Sequence, residues 1–172
     1  MVAKGVEHCK LGDTFQLVLS REFQQDFKGD EFVLYRCLRS INPSPYLFYF
    51  DYGDFKIMGS SPESQLQVAN TAASINPIAG TVLRGESQEE DQRRAAKLKS
   101  NPKELSEHVM LVDLARNDLS KHSEEVTVDT YAETQFFSHV IHLVSKVTGK
   151  LSSEQDTLDI YADTFPAGTM SG

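Results

Sequence analysis

Strand-like and helix-like segments follow one another irregularly along this chain, and that order argues against a regular strand–helix alternation. Phe15 to Phe23 is rich in β-branched and aromatic residues and is expected to form a strand. Asp30 precedes Val33, Leu34, Cys37, Leu38 and Ile41, an apolar row at helical spacing, so a capped helix is expected through Ile41. Asn42-Pro43-Ser44-Pro45 must end it, because two prolines withhold backbone donors and force extended neighbours. Tyr46 to Asp51 and Phe55 to Met58 flank Tyr52-Gly53-Asp54 and read as a hairpin. Further strands are expected over Glu63 to Ala69 and Ala73 to Asn76. Ser87-x-x-Glu90 is a capping-box pattern whose helix can run to Lys99. Asn101-Pro102, a cap with a first-turn proline, opens another helix to about Leu119. Val126 to Val128 and Phe136 to Val147 return to strand composition, and a last helix is expected from Ser153, with Asp156 three residues on, to just before Pro166. Strands outnumber helices and do not alternate with them, which favours an α+β class over a doubly wound sheet.

Totals narrow the function. At 172 residues the chain can hold one domain with a real core. A net charge of −8 disfavours a nucleic-acid partner, since phosphate neutralisation needs a basic surface. Tyr46 to Phe50, the densest apolar run, falls far short of the ~20 residues of a membrane helix. The N-terminus lacks a signal-peptide pattern. Cys9 and Cys37 lie far apart and read as free thiols of a reducing compartment, so a cytoplasmic protein without a membrane partner is expected.

Four segments can carry chemistry. In Glu104-Leu-Ser-Glu107-His108-Val-Met-Leu-Val-Asp113-Leu-Ala-Arg116-Asn117-Asp118, helical spacing puts Glu104, Glu107, His108 and Leu111 on one face. Two carboxylates one turn apart suit a hard cation such as Mg²⁺, and the same pattern also describes a solvated acidic face beside Lys103. In Pro77-Ile-Ala-Gly80-Thr81, followed by Arg84-Gly85, a glycine lets backbone approach a ligand and a hydroxyl can donate to it; a bare turn would look alike. His139 and His142 should point to opposite faces of a strand, so one of them can serve proton transfer while either can be structural. Gly168-Thr169-Met-Ser171-Gly172 is a small-residue turn of the kind that binds anions.

Read in order, these segments resemble the chorismate-binding enzyme family and, within it, the anthranilate synthase large subunits. The likeness runs from Gly12-Asp-Thr-Phe-Gln-Leu-Val-Leu-Ser-Arg21 through Asn42-Pro-Ser-Pro-Tyr46, Ser61-Pro-Glu63, Pro77-Ile-Ala-Gly-Thr81 and Glu104–Asp118. It continues through Ser138-His-Val-Ile-His-Leu-Val-Ser145 to Gly168-Thr-Met-Ser-Gly172. The fold this implies has large antiparallel sheets packed face to face with helices outside.

The resemblance implies a Mg²⁺-dependent conversion of chorismate and ammonia to anthranilate and pyruvate, in tryptophan biosynthesis. Glu107 matches a metal ligand, and Glu104 an acidic neighbour holding metal-bound water. Gly80 and Thr81 match the substrate segment, the threonine lying near the ring hydroxyl. His142 matches the histidine placed for proton transfer, and Thr169 the loop that meets the substrate carboxylate. Pro45, Tyr46 and Leu47 match part of a tryptophan feedback site; the bland reading is a rigid double-proline turn. Relatives that add water carry a lysine where this chain has Gln16, and the p-aminobenzoate (aminodeoxychorismate) branch typically carries one at Ala79. Both absences favour anthranilate, with p-aminobenzoate synthesis and a catalytically dead binding fragment as the alternatives. A glutamine amidotransferase subunit is the implied ammonia source. Residues 1–172 are expected to be the N-terminal part of a catalytic domain truncated after Gly172, without its regulatory region and inactive by itself.

Overall fold

The computed structural model describes residues 1–14, 17–151 and 157–167. The elements run α1 (Val2–Leu11), α2 (Glu31–Ile41), β1 (Tyr46–Asp51), β2 (Lys56–Ser61), β3 (Gln67–Ala69), β4 (Ala72–Ile75), β5 (Ile78–Leu83), α3 (Gln88–Lys99), α4 (Pro102–Ser120), β6 (Ser123–Phe136), β7 (Val140–Leu151) and α5 (Thr157–Thr164). The class is α+β with antiparallel sheets, as the order of segments requires.

The capping residues act as their chemistry dictates. Asp30 accepts from the Phe32 amide at 2.8 Å, Ser87 from Glu90 at 3.2 Å and Asn101 from Lys103 at 3.0 Å, each satisfying a donor that the first helical turn leaves open. Beyond Asn42–Pro45 the chain enters the β1–β2 hairpin, with Tyr46 opposite Ser61 and Asp51 opposite Lys56.

The main sheet is organised around β7. Along one edge it pairs with β6; along the other, β4 covers its C-terminal half and β5 its N-terminal half. β4 and β5 keep a single register and are one strand interrupted at Asn76-Pro77. Pro77 cannot donate, although its carbonyl still accepts from the Ser145 amide at 3.0 Å. The register then slips between Ala79 and Thr81, where Gly80 forms a bulge at φ 78°.

Alternation along β7 sends Ile141, Leu143, Ser145, Val147 and Leu151 toward the helices. Val147 and Leu151 join Ala73, Val112, Ala115, Leu119 and Ile160 in one apolar cluster. Ile141 and Leu143 join Ala95 and Leu98 in a second. Burying a side chain such as Leu119 or Ile141, both fully enclosed, is worth about 1.5–3 kcal/mol. That stripe of α4 against β7 holds the domain together.

Several expectations are corrected. No strand forms over the described part of Phe15 to Phe23; Leu17, Val18 and Leu19 are exposed, and the neighbour beside Leu17 is helix α1, which cannot complete a hydrogen-bond ladder. Helix α1 was not anticipated, because Gly5 interrupts it and no side chain caps its start. Pro77 to Thr81 is chiefly strand rather than a bare turn. β6 extends well beyond Val126 to Val128, and the stretch from Phe136 to Val147 is two strands joined at residues 137–139, not one. The last helix begins at Thr157 among the described residues, Ser153 and Asp156 lying outside them.

Candidate functional site

Thr81 and His142 face each other across β5 and β7, and Thr81 Oγ1 lies 3.0 Å from His142 Nδ1. The Gly80 bulge makes this possible. With the register of β4 continued, Thr81 would oppose Ile141; the one-residue slip brings it opposite His142 instead. Burial of the His142 ring holds its pKa below the ordinary imidazole value, and the Gly80 backbone, which favours the protonated ring, offsets only part of that. Phe137 packs edge-on at 5.2 Å and closes another side of the ring. An imidazole kept neutral, with one nitrogen fixed by a hydroxyl, is suited to exchanging a proton.

His139 stands apart. It sits in the turn before β7, with Nε2 3.2 Å from the Ile41 carbonyl, so it ties that turn to the end of α2. The expected separation of the two histidines holds, through the turn rather than through strand alternation.

Glu104 lines a surface cleft with Thr81, Val82, Leu98 and Asn101. Its carboxylate is half-buried, and Lys103 Nζ lies 3.5 Å away. Glu107, one turn along α4, is also half-buried and has no ion-pair partner among the described residues. His108 departs from this face: it is fully enclosed, with Nε2 2.6 Å from Ser145 Oγ. The helical stripe therefore divides into an open carboxylate edge and a buried imidazole.

Among the described residues no three His, Cys, Asp or Glu side chains converge as a metal ligand set. Glu104 and Glu107 provide two hard oxygen donors, which fits part of a Mg²⁺ shell, because this ion commonly takes one or two carboxylates and keeps waters.

Pro45 and Tyr46 border a separate groove of about 360 Å³ with Glu133, Gln135 and Phe137. Tyr46 is hydrogen-bonded through its hydroxyl to Gln67, and Leu47 pairs with Ser60 on the hairpin. None of these three residues lines the cleft that Thr81 shares with Glu104. Thr169 and Gln16 lie outside the described residues.

An ion-pair network that sequence reasoning passed over buttresses the β5 end of the site. Asp91, 4% exposed, accepts from Arg84 Nε and from the Gly85 amide, both at 2.6 Å, while Arg84 Nη1 donates to the Phe137 carbonyl at 2.7 Å. Arg84-Gly85 stood out only as the tail of the glycine segment; its partner Asp91 gave no signal, being one of several acids in the first turn of α3.

Comparison with known proteins bears on the whole of this arrangement. The family model described as chorismate binding enzyme matches residues 1–172. Anthranilate synthase component 1 of Aquifex aeolicus (strain VF5) is 45% identical over 174 residues, covering 100% of this chain and 35% of that protein. Its namesake from Geobacillus stearothermophilus is 48% identical over 168 residues, covering 96% of this chain and 33% of that protein. The crystal structure of anthranilate synthase component I from Streptococcus pneumoniae TIGR4 superposes with a TM-score of 0.88 at 44% identity, covering 99% of this chain and 38% of that one. The chain thus spans about a third of the length of the curated relatives it matches. With the family model matching its full length, this chain belongs to the chorismate binding enzyme family.

Proposed function

We propose that this chain forms the N-terminal part of the catalytic domain of an anthranilate synthase large subunit, which converts chorismate and ammonia to anthranilate and pyruvate. The observation that carries the reading is the Thr81–His142 pair, 3.0 Å apart beside the Gly80 bulge. Ammonia adds to the ring and the hydroxyl leaves as water; a ring proton is then lost as the enolpyruvyl group departs as pyruvate. His142 is the group that moves protons in these steps, and Thr81 orients its ring and meets the departing hydroxyl. Gly80 lets the strand backbone approach the substrate. Thr169 is assigned to the substrate carboxylate.

Glu107 and Glu104 are the residues that would hold Mg²⁺, Glu107 directly and Glu104 through water. The cation would neutralise and orient the ring carboxylate. Ala79 supports the anthranilate branch over the p-aminobenzoate branch: it is 8% exposed, lies opposite Leu143 and offers no amine. A glutamine amidotransferase partner is the proposed ammonia source, Pro45, Tyr46 and Leu47 the proposed remnant of a tryptophan site, and the cytoplasm the proposed compartment. No helix among the described residues is long and apolar enough to cross a membrane. Two carboxylates are an incomplete shell for Mg²⁺, so the 172 residues by themselves are expected to be inactive.

The test is to supply chorismate, ammonium and Mg²⁺ to the protein expressed from its complete reading frame and to separate the products. Anthranilate is expected, lost on chelation and reduced at least a hundredfold by Glu107→Gln, on the order of an electrostatic contact made at the reacting centre. Isochorismate or an aminochorismate as the end product would overturn the anthranilate assignment; no turnover by a folded protein would overturn the catalytic one.

A further inference from the structure

Sequence places His108 on the carboxylate face of α4, yet the fold buries it completely. Its Nε2 lies 2.6 Å from Ser145 Oγ, and the same oxygen accepts from the Ala132 amide at 2.9 Å. Ala132 takes the unusual φ of 48° inside a β6 bulge, so the hydroxyl anchors a backbone conformation that alanine does not favour. Having accepted from Ala132, Ser145 has its proton to give, and His108 Nε2 is the acceptor at hand; that order leaves the imidazole hydrogen on Nδ1. Nδ1 is buried without a well-aligned partner among the described residues. The backbone group acting on this ring is that of Ala79, the residue before the Gly80 bulge.

This polar chain has a definite place. Ser145 lies on β7 between Leu143 and Val147, at the boundary of the two apolar clusters, and His108 lies on α4 between Leu105 and Val112, which pack against those same clusters. Its two buried hydrogen bonds, sharing the Ser145 hydroxyl, join α4, β6 and β7 at one point. On the opposite face of the sheet, His142 meets the hydroxyl of Thr81 and the backbone of Gly80. The Ala79–Gly80 segment thus runs between two imidazoles, His108 on the α4 face and His142 on the other.

We propose that His108 is a positioning residue: through Ser145 and the Ala79–Gly80 bulge it fixes the orientation of His142, and it sets the carboxylate edge of α4 relative to that ring. The proposal rests on His142 as the proton-transferring group, but its structural content does not depend on any activity. A merely structural His108 would stabilise the fold and leave His142 untouched.

The experiment is ¹⁵N-histidine NMR of the 172-residue chain and of Ser145→Ala, Ser145→Cys, His108→Gln and Val147→Ala. Wild-type His142 is expected to show one dominant tautomer. Ser145→Ala is expected to turn it into a mixture, although Ser145 and His142 point to opposite faces. His108→Gln, whose amide can still reach Ser145, is expected to change it less. Ser145→Cys leaves no cavity and weakens the bond, so it reports the same effect should Ser145→Ala fail to fold. Val147→Ala loosens the same core without touching the pair. An unchanged His142 spectrum in the folded Ser145 variants overturns the proposal, as does an equal change in Val147→Ala. In the protein from the complete reading frame, Ser145→Ala is expected to lower kcat about tenfold with KM for chorismate little changed, the signature of misplaced groups, and His108→Gln to lower it less. Absence of wild-type turnover would defeat the functional reading alone, while the spectra still decide the positioning role.

Discussion

Replacing Gly80 with alanine would probe the bulge on which the Thr81–His142 contact depends. The residue has φ 78°, and an added Cβ would sit 3.3 Å from both Leu143 Cδ1 and Leu98 Cδ1. An L-residue in the left-handed region costs about 1–2 kcal/mol. The two leucine contacts belong to a packed cluster and add overpacking at the low end of its usual range, about 1 kcal/mol. Alanine also stiffens the unfolded chain, which offsets about 0.4–1 kcal/mol. The net loss is about 1–2.5 kcal/mol, or about 2–10 °C in Tm for a chain of this size. Gly53→Ala is the control: φ is 83°, but nothing lies within 4 Å of the new Cβ, so only the backbone contribution remains. Thermal melts by circular dichroism would compare the two. Gly80→Ala is expected to melt lower than Gly53→Ala and to disturb the His142 ring resonances. Equal melting temperatures with an unchanged His142 would refute the argument that packing pins the bulge.

Leu119→Ala removes a fully buried member of the α4–β7 cluster and is expected to destabilise the chain by about 2–5 kcal/mol in urea titrations. Asp91 is held below the usual carboxylate range by Arg84 and then by the Gly85 amide, so its contribution is present above its unfolded pKa and is lost as pH falls through the lower folded value. Acid melts of Asp91→Asn should accordingly lie below wild type at neutral pH and converge with it below about pH 4. His142 acts in another window: burial keeps its folded pKa below 6.5, so the unfolded chain binds that proton more readily and stability falls as pH drops below that value. His142→Gln should flatten this part of the pH profile, and an unaltered slope would contradict the burial argument.

Capping and proline chemistry were legible in the sequence because they are local. Asp30, Ser87 and Asn101 start their helices where side chain and spacing say they must. Segments whose conformation depends on a distant partner were not. Phe15 to Phe23 has strand composition but no ladder among the described residues, and β5 was obscured because Pro77 and Gly80 look like turn residues until β7 lies beside them. The site divides along the same line. Thr81 and His142 were named from their motifs, but their contact depends on a register slip that no local pattern encodes. Helical spacing grouped His108 with Glu104 and Glu107, whereas about 40° around α4 separates the half-buried Glu104 carboxylate from a fully buried ring.

The pairing of β6 with β7 also bears on how the chain reaches its fold. These two long strands meet through a turn at residues 137–139, whereas β4 and β5 reach β7 only after the helical stretch between Leu83 and Ser123 has been looped out. Contacts close in sequence need little loop-closure entropy, so the hairpin should form first and serve as a template. α4 supplies the first apolar surface to cover it, and β4–β5 docks afterwards. Pulse-labelled hydrogen exchange during refolding should show β6–β7 amides protected before those of β5. The Thr81–His142 contact would then be among the last parts of the domain to assemble.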